Sequence, residues 1–148
     1  MFHKILVCLD GSKLAEQTLP YAAEQAARFG SSLVLFQVVS IASFPIPTGT
    51  WRNPVVVPDN QLADAEAAAR NYLNGLALPL REKGLTVQCV TLIGVPTESI
   101  VSYAEENRFD LVVMATHGCS GLGRLVLGSV AQYVVEKSRL PTLLIKPR

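Results

Sequence analysis

The sequence predicts an α/β protein with a doubly wound parallel sheet and helices on both faces, and three observations carry this prediction. Short apolar runs alternate with helical patterns, giving five strands and four helices. The runs are apolar along their length, as parallel strands buried on both faces are. The 148 residues, 49% hydrophobic and 17% charged, match one domain with a substantial core.

The first strand and helix are marked by turn and capping residues. Lys4–Leu9 is an apolar run that predicts strand one, and Ser12 is the expected N-cap of the next helix. An apolar stripe predicts that this helix spans Lys13–Arg28. Pro20 lies inside it and predicts a kink or an irregular turn, whereas Gly30 is expected to end the helix.

Strand two, Ser32–Val39, is followed by an unusual segment, Ser40–Pro58. The segment holds four prolines, which prevent a long regular element, yet it is apolar and contains Trp51. A connection of this length in a compact domain is often a lid, a binding loop or an interface arm. The alternative is a loop that packs on its own domain, and the residues leave both interpretations open.

The second half of the chain continues the alternation of helices and strands. Leucines and alanines at helical spacing predict a long helix, which Pro79 is expected to bend and Gly84 to end. The predicted elements are a helix over Asn60–Lys83, strand three over Leu85–Ile93, a helix from an N-cap at Thr97 to Asn107, strand four over Leu111–Ala115, a helix over Ser129–Ser138 and strand five over Thr142–Lys146.

A glycine-bearing loop between strand four and the last helix is the strongest functional signal. The loop contains Gly118, Gly121, Gly123 and Gly128, and Ser129-Val130-Ala131-Gln132 reads as a capping box that starts the helix. A strand, a glycine loop and a helix N-terminus together favour anion binding, and Arg124 adds a positive charge. The pattern is neither a P-loop nor a Rossmann fingerprint. The alternative is a turn that only connects two elements.

Asp10 provides a second polar group at the end of a predicted strand. In parallel sheets, ligands bind beyond the carboxyl ends of the strands, at a topological switch point. If strands one and four are neighbours, the Asp10 carboxylate and the anion loop face one crevice and form a nucleotide site. The alternative for Asp10 is an ordinary turn or cap residue.

Composition excludes several other classes. The net charge of +1 argues against a nucleic-acid binder, and no apolar run approaches the ~18–20 residues of a membrane span. The N-terminal apolar run is too short for a signal peptide, so a cytoplasmic protein is expected. Cys8 and Cys89 are expected to be buried small hydrophobes, while Cys119 lies in the glycine loop.

Taken together, the motifs resemble the universal stress protein family. The residues that carry the resemblance are Ile5-Leu6-Val7-Cys8-Leu9-Asp10-Gly11-Ser12, Gly94-Val95-Pro96, Asp110-Leu111-Val112-Val113-Met114-Ala115-Thr116-His117-Gly118, Gly128-Ser129-Val130-Ala131 and Pro141-Thr142-Leu143-Leu144-Ile145. The resemblance implies strand order 3-2-1-4-5 with a nucleotide at the switch point. It also implies one nucleotide-binding domain over residues 1–148, with residues 40–58 as an inserted loop.

The resemblance further implies ATP as the ligand, with Mg²⁺ as a possible companion. ATP-binding members carry Gly-x-x-Gly, nine residues and Gly-Ser/Thr; here Cys119–Leu127 are the nine, and Ala115 replaces the first glycine. Alanine fits there if its φ stays below zero. The resemblance implies phosphate contacts from Gly118, Gly128, Ser129 and Val130, with His117 beside the phosphates. It implies that Asp10 contacts the ribose or adenine and that Val38 or Val39 contacts the base. Gly121 and Arg124 of the glycine loop complete the implied site.

Family members commonly pair their last strands, so the resemblance implies a homodimer through residues 142–146. The expected function is adenine-nucleotide binding in stress response or signalling, without nucleic acid, membrane or a protein-held metal as a partner. One alternative is a weak ATP hydrolase in which His117 or Asp10 orients a water, although no Walker-type lysine is present. Another is an interaction module that works through the Trp51 loop.

Overall fold

The computed structural model describes residues 1–41, 58–117 and 127–148 and contains one five-stranded sheet. All strand pairs are parallel, and the order is β3-β2-β1-β4-β5. This confirms the predicted fold class and the implied strand order. The elements are β1 (Lys4–Leu9), α1 (Lys13–Glu16), α2 (Leu19–Phe29), β2 (Ser32–Ser40), α3 (Asp59–Glu82), β3 (Val87–Gly94), α4 (Pro96–Glu106), β4 (Leu111–Ala115), α5 (Ser129–Lys137) and β5 (Thr142–Ile145).

Both faces of the sheet are covered, which explains why its strands are apolar along their length. Successive side chains of a strand point to opposite faces. Ile5 and Leu33 pack against the face that carries α2 and α3, whereas Leu6 and Val34 pack against the face that carries α4 and α5. Each central strand therefore buries both of its sides, and polar chemistry is confined to the strand ends.

The predicted helix over residues 13–28 is two helices in the structure. The chain breaks at Gln17 and Thr18, and Pro20 lies in the first turn of α2, where its missing N–H costs no helical hydrogen bond. Thr18 is fully buried, and its hydroxyl donates to the Ala15 carbonyl at 2.7 Å. The kink that Pro20 predicted is thus a complete break. Gly30 ends α2 in the left-handed conformation, as expected.

Helix α5 begins at Ser129 as predicted, but two predicted N-cap residues are wrong by one or two positions. The N-cap of α4 is Val95 rather than Thr97, because Pro96 is suited to the first helical position. The N-cap of α5 is Gly128, so Ser129 is already helical and the Ser129–Gln132 capping box does not form. Instead the Gln132 side chain donates to Glu136 at 2.9 Å.

The Trp51 segment and the three cysteines are described only in part. Trp51 and Cys119 lie outside the described residues. Cys8 is buried as predicted, whereas Cys89 is partly exposed. Within the described ranges, no helix has the length and apolarity needed to cross a membrane.

Asp110 joins the amino ends of β1 and β4, the two strands that frame the switch point. Its Oδ2 accepts the backbone N–H groups of His3 and Lys4, each at 2.8 Å. These bonds favour the charged carboxylate, so they lower the pKa of Asp110. The folded state is therefore stabilised above the pKa of an unfolded aspartate, about 3.9, and this stabilisation is lost as the pH falls through the lower folded value.

We expect Asp110→Asn to lower the free energy of unfolding at pH 7 by about 0.5–1.5 kcal/mol, because two solvent-accessible hydrogen bonds exchange a charged acceptor for a neutral one. The difference from the wild type should shrink as the pH falls below about 4. Urea unfolding at pH 7 and pH 3 measures both. Asp64→Asn, on the exposed surface of α3, is the matched control. A difference that stays constant with pH would contradict the assigned role of the charge.

Candidate functional site

A cavity of about 250 Å³ lies at the carboxyl ends of β1, β2 and β4. The starts of α4 and α5 close its side. The cavity is lined by Cys8, Leu9, Asp10, Ala15, Phe36, Val38, Pro96, Ile100, Met114, Ala115, Thr116, His117, Gly128, Ser129, Val130 and Ala131. From β1 the chain adds β2 and β3 on one side of the sheet, and β4 and β5 lie on the other side. The cavity therefore lies between β1 and β4, at the topological switch point of this sheet.

The floor of the cavity is apolar and comes from the sheet face that α4 and α5 cover. Cys8, Phe36 and Met114 provide the strand side of this floor, and Ile100 of α4 faces them. Phe36 is fixed by stacking on Tyr103, with ring centroids 4.7 Å apart. Burial raises the pKa of Cys8 to about 12, so the thiol is protonated at neutral pH and adds no charge. The floor suits a flat, weakly polar group.

Asp10 follows β1 and adopts the turn conformation that its residue type favours. Its Oδ1 accepts the Ser12 backbone N–H at 3.0 Å and the Ser12 hydroxyl at 2.6 Å. The Ser12 hydroxyl oxygen in turn accepts the Ala15 N–H at 3.1 Å and caps α1. The turn therefore fixes an exposed carboxylate at the rim of the cavity, so Asp10 is both a turn residue and a rim residue.

Gly128 brings the start of α5 into contact with the end of β4. Its N–H donates to the Thr116 carbonyl at 2.8 Å. A Cβ at Gly128 would lie 3.2 Å from the same carbonyl oxygen and 3.6 Å from the His117 Cα. The φ of Gly128 is −59°, so the advantage of glycine here lies in the limited space rather than in its backbone conformation.

The first turn of α5 opens onto the cavity with backbone donors that have no acceptor within the helix. The first intrahelical bond joins the Gln132 N–H to the Gly128 carbonyl. The N–H groups of Ser129, Val130 and Ala131 therefore have no partner within the helix. The first turn contains no acidic residue that would offset the positive end of the helix dipole. This rim of the cavity is suited to an anion.

The end of β4 supplies the remaining rim. Ala115 is the last residue of this strand and pairs with Ile145, and its φ is not positive. An alanine is therefore accommodated at this position without backbone strain. Thr116 follows, and its hydroxyl lies 2.9 Å from the His117 Nδ1, which orients the imidazole at the cavity edge.

The structure brings most of the predicted site residues to this cavity. Those that line it are Asp10, Val38, Ala115, His117, Gly128, Ser129 and Val130. Val39 does not, because alternation along β2 directs it to the opposite face from Val38. Gly118, Gly121 and Arg124 lie outside the described residues.

The sequence reasoning missed the floor of the cavity. Phe36 lies two residues before Val38 on β2, Cys8 lies two residues before Asp10, which follows β1, and Met114 lies two residues before Thr116, which follows β4. Period-2 alternation from Val38, Asp10 and Thr116 could have found them. No sequence pattern indicated that Pro96 and Ile100 line the cavity, because their distance from it depends on how α4 packs on the sheet.

The fold and the cavity define a doubly wound α/β protein with an open cavity at the switch point of its sheet. Comparison with known proteins gives the family. The model of the universal stress protein family matches residues 1–146, and the chain belongs to this family.

The chain is similar to universal stress protein MJ0577 of Methanocaldococcus jannaschii, with 28% identity over 155 residues, covering 99% of this chain and 96% of the relative. The solved structure of MJ0577 matches with a TM-score of 0.81 at 26% identity, covering 100% of this chain and 98% of the other.

Two other solved structures contain adenine nucleotides. A universal stress protein from Archaeoglobus fulgidus in complex with dAMP matches with a TM-score of 0.65 at 24% identity, covering 98% of each chain. A universal stress protein in complex with cAMP matches with a TM-score of 0.66 at 21% identity, covering 97% of this chain and 96% of the other. At these identities the likeness concerns the fold.

Proposed function

We propose that this universal stress protein binds an adenine nucleotide, with ATP as the expected ligand, and acts in stress response or signalling through its bound state. One observation carries the proposal. A single cavity joins an apolar floor, a rim carboxylate and the open N-terminus of α5. These are the groups that a base, a ribose and a phosphate chain require.

The base is assigned to the apolar floor. Phe36 and Met114 offer apolar contact, Val38 borders the opening, and the protonated Cys8 thiol leaves this region uncharged. The Asp10 carboxylate is assigned to the ribose, since it lies at the rim and accepts hydrogen bonds. The two relatives crystallised with dAMP and cAMP support adenine as the base.

The phosphates are assigned to the start of α5. The N–H groups of Ser129 and Val130 are available there, and the absence of a side chain at Gly128 permits close approach. His117 lies beside this path, and the motif assigns Gly118, Gly121 and Arg124 to the same phosphates. The strand conformation of Ala115 supports its place in the motif.

Mg²⁺ is compatible with this assignment as a partner of the phosphates. Asp10 is the one carboxylate among the described residues that line the cavity, and no cluster of three or more metal-ligating side chains occurs in the described ranges. Mg²⁺ commonly keeps several waters and binds through phosphates with one or two carboxylates. When bound, it neutralises phosphate charge, and the chain's own groups hold the nucleotide.

We expect 1 mM ATP to raise the melting temperature of the nucleotide-stripped protein by about 5–10 °C if the Kd is about 10 µM, because a ligand at 100 times its Kd stabilises by about 2.7 kcal/mol. Differential scanning fluorimetry measures the shift. Inorganic triphosphate and GTP are the controls, and both should shift the midpoint less. An equal shift with GTP would contradict adenine as the recognised base.

We further propose that two copies of the chain pair through β5. This strand is at the edge of the sheet, and Leu143 and Leu144 are only partly covered within one chain. An unpaired apolar edge strand is prone to association. Leu144→Lys is expected to convert a dimer to a monomer in sedimentation experiments, with Leu78→Lys on exposed α3 as the control. A monomeric wild type would contradict the proposal.

A further inference from the structure

The other edge of the sheet, formed by β3, carries outward backbone groups that no other strand of the described sheet pairs with. In the β2–β3 ladder, Leu33 donates to the Thr86 carbonyl and pairs with Val87. In a parallel ladder this register turns the backbone groups of the even-numbered β3 residues toward β2. The N–H and C=O groups of Val87, Cys89, Thr91 and Ile93 therefore point away from the sheet.

Among the described residues, the chain caps one end of this edge and leaves the other end open. The Arg81 guanidinium donates to the outward Val87 carbonyl at 2.9 and 3.0 Å. Within the described ranges, the outward backbone groups of Thr91 and Ile93 make no backbone hydrogen bond. Side chains there are exposed and apolar: Leu92 is 36% exposed, Ile93 41% and Val95 56%. Exposed apolar edges of this kind accept added strands.

A groove of about 260 Å³ runs beside this open edge on the α4 side. It is lined by Leu92, Glu98, Ser99, Ser102, Tyr103 and Glu106. Neither Glu98 nor Glu106 is in a salt bridge in the described part of the chain. The groove therefore presents two carboxylates next to an apolar strand edge.

The charge of α4 indicates the kind of partner. Residues 96–106 contain Glu98, Glu105 and Glu106 and no lysine or arginine. Two of these carboxylates lie in the last turn, which has no basic residue of its own. The Lys4 ammonium donates to the Asn107 carbonyl at the C-cap at 3.1 Å, but neither Glu98 nor Glu106 has a salt bridge among the described residues. A cationic group in the groove would relieve this arrangement.

We propose that the Thr91–Ile93 edge and the α4 groove bind an extended, cationic peptide segment of a partner protein, added to the sheet as a sixth strand. Side chains alternate along such a strand. Its lysines or arginines on the α4 side meet Glu98 and Glu106, and its apolar residues on the α3 side meet Ile93. Symmetric pairing of two β3 edges from two copies of this chain fits poorly, because neither β3 nor α4 contains a lysine or arginine that could meet the carboxylates.

The test uses a fluorescein-labelled peptide of alternating valine and lysine, titrated into the whole protein at about 0.15 M salt and followed by fluorescence anisotropy. We expect saturable binding that Glu98→Gln with Glu106→Gln weakens at least about tenfold. Asp64→Asn with Glu82→Gln removes the same charge from exposed positions on α3 and should change the Kd less than about twofold. Equal weakening by both pairs, or no binding, would overturn the proposal.

Amide hydrogen exchange tests the strand addition itself. The peptide should slow exchange of the Thr91 and Ile93 amides, whereas the inward Leu92 amide is already protected by β2. Ile93→Pro removes an outward donor without a ladder bond and should abolish peptide binding, with folding checked by circular dichroism. Three results would overturn the proposal: binding without protection, protection before peptide is added, or a dimer that Ile93→Pro dissociates.

Discussion

Replacing Gly128 by aspartate is expected to weaken ATP binding at least about a hundredfold while leaving the protein folded. The new carboxylate would lie at the start of α5, where the phosphates are assigned. Two like charges about 4 Å apart repel by about 4 kcal/mol at the effective dielectric of a protein surface, and about 2.7 kcal/mol is a hundredfold in Kd. Aspartate is a good N-cap, so α5 itself should keep its start.

Gly128→Ala separates the steric part of this effect from the electrostatic part. Alanine adds the Cβ that would lie 3.2 Å from the Thr116 carbonyl oxygen, but it adds no charge. We expect a loss of about tenfold or less, because the neighbouring backbone must move by only a few tenths of an ångström. Calorimetry of both variants with ATP gives the two values. Equal Kd values for Gly128→Asp and the wild type would contradict the assignment of the phosphates to the start of α5.

The second large effect is expected for Asp10→Ala, with a loss of about 10–100-fold in ATP affinity. A hydrogen bond to a charged acceptor contributes about 1.5–3 kcal/mol, and the substitution removes the acceptor assigned to the ribose. The same substitution should barely change the affinity for 2′,3′-dideoxy-ATP, which has no ribose hydroxyls to donate. Titration of ATP and 2′,3′-dideoxy-ATP into the wild type and into Asp10→Ala gives the four Kd values of a double-mutant-type cycle.

Ser12→Ala is the matched control for Asp10→Ala. It removes the hydroxyl that donates to Asp10 at 2.6 Å and caps α1, so it disturbs the turn and keeps the carboxylate. If the affinity loss came from a disturbed turn, Ser12→Ala would reproduce it for both nucleotides. An equal loss of ATP and dideoxy-ATP affinity in Asp10→Ala would contradict a contact with the ribose.

The fold could be predicted because its strands are buried on both faces and its turns carry specific residues. Apolar runs such as Leu111–Ala115 match the observed strand, and Gly30 ends its helix as expected. Pro20 marked the irregularity in the first helical region, but a sequence pattern does not distinguish a kink from a break. That outcome depends on the buried Thr18, whose hydroxyl satisfies the Ala15 carbonyl at the break.

The site was predicted in part, and the differences have physical causes. Asp10 follows the end of β1 and Ser129 begins α5, and the topology of the sheet brings these two positions to the same edge. The exact cap of α5 was missed, because serine is the commoner N-cap and the need for glycine at 128 comes from the nearby Thr116 carbonyl. Val39 was included beside Val38, although only one of two neighbouring strand residues can face the cavity.

The most direct test of the nucleotide site is a calorimetric titration of ATP into nucleotide-stripped protein, with Gly118→Asp and Ser129→Ala measured in parallel. The proposed site predicts saturable binding near one ATP per chain, lost in Gly118→Asp and weakened in Ser129→Ala. Folded wild-type protein that shows no heat of binding up to millimolar ATP would contradict the assignment of this cavity to a nucleotide.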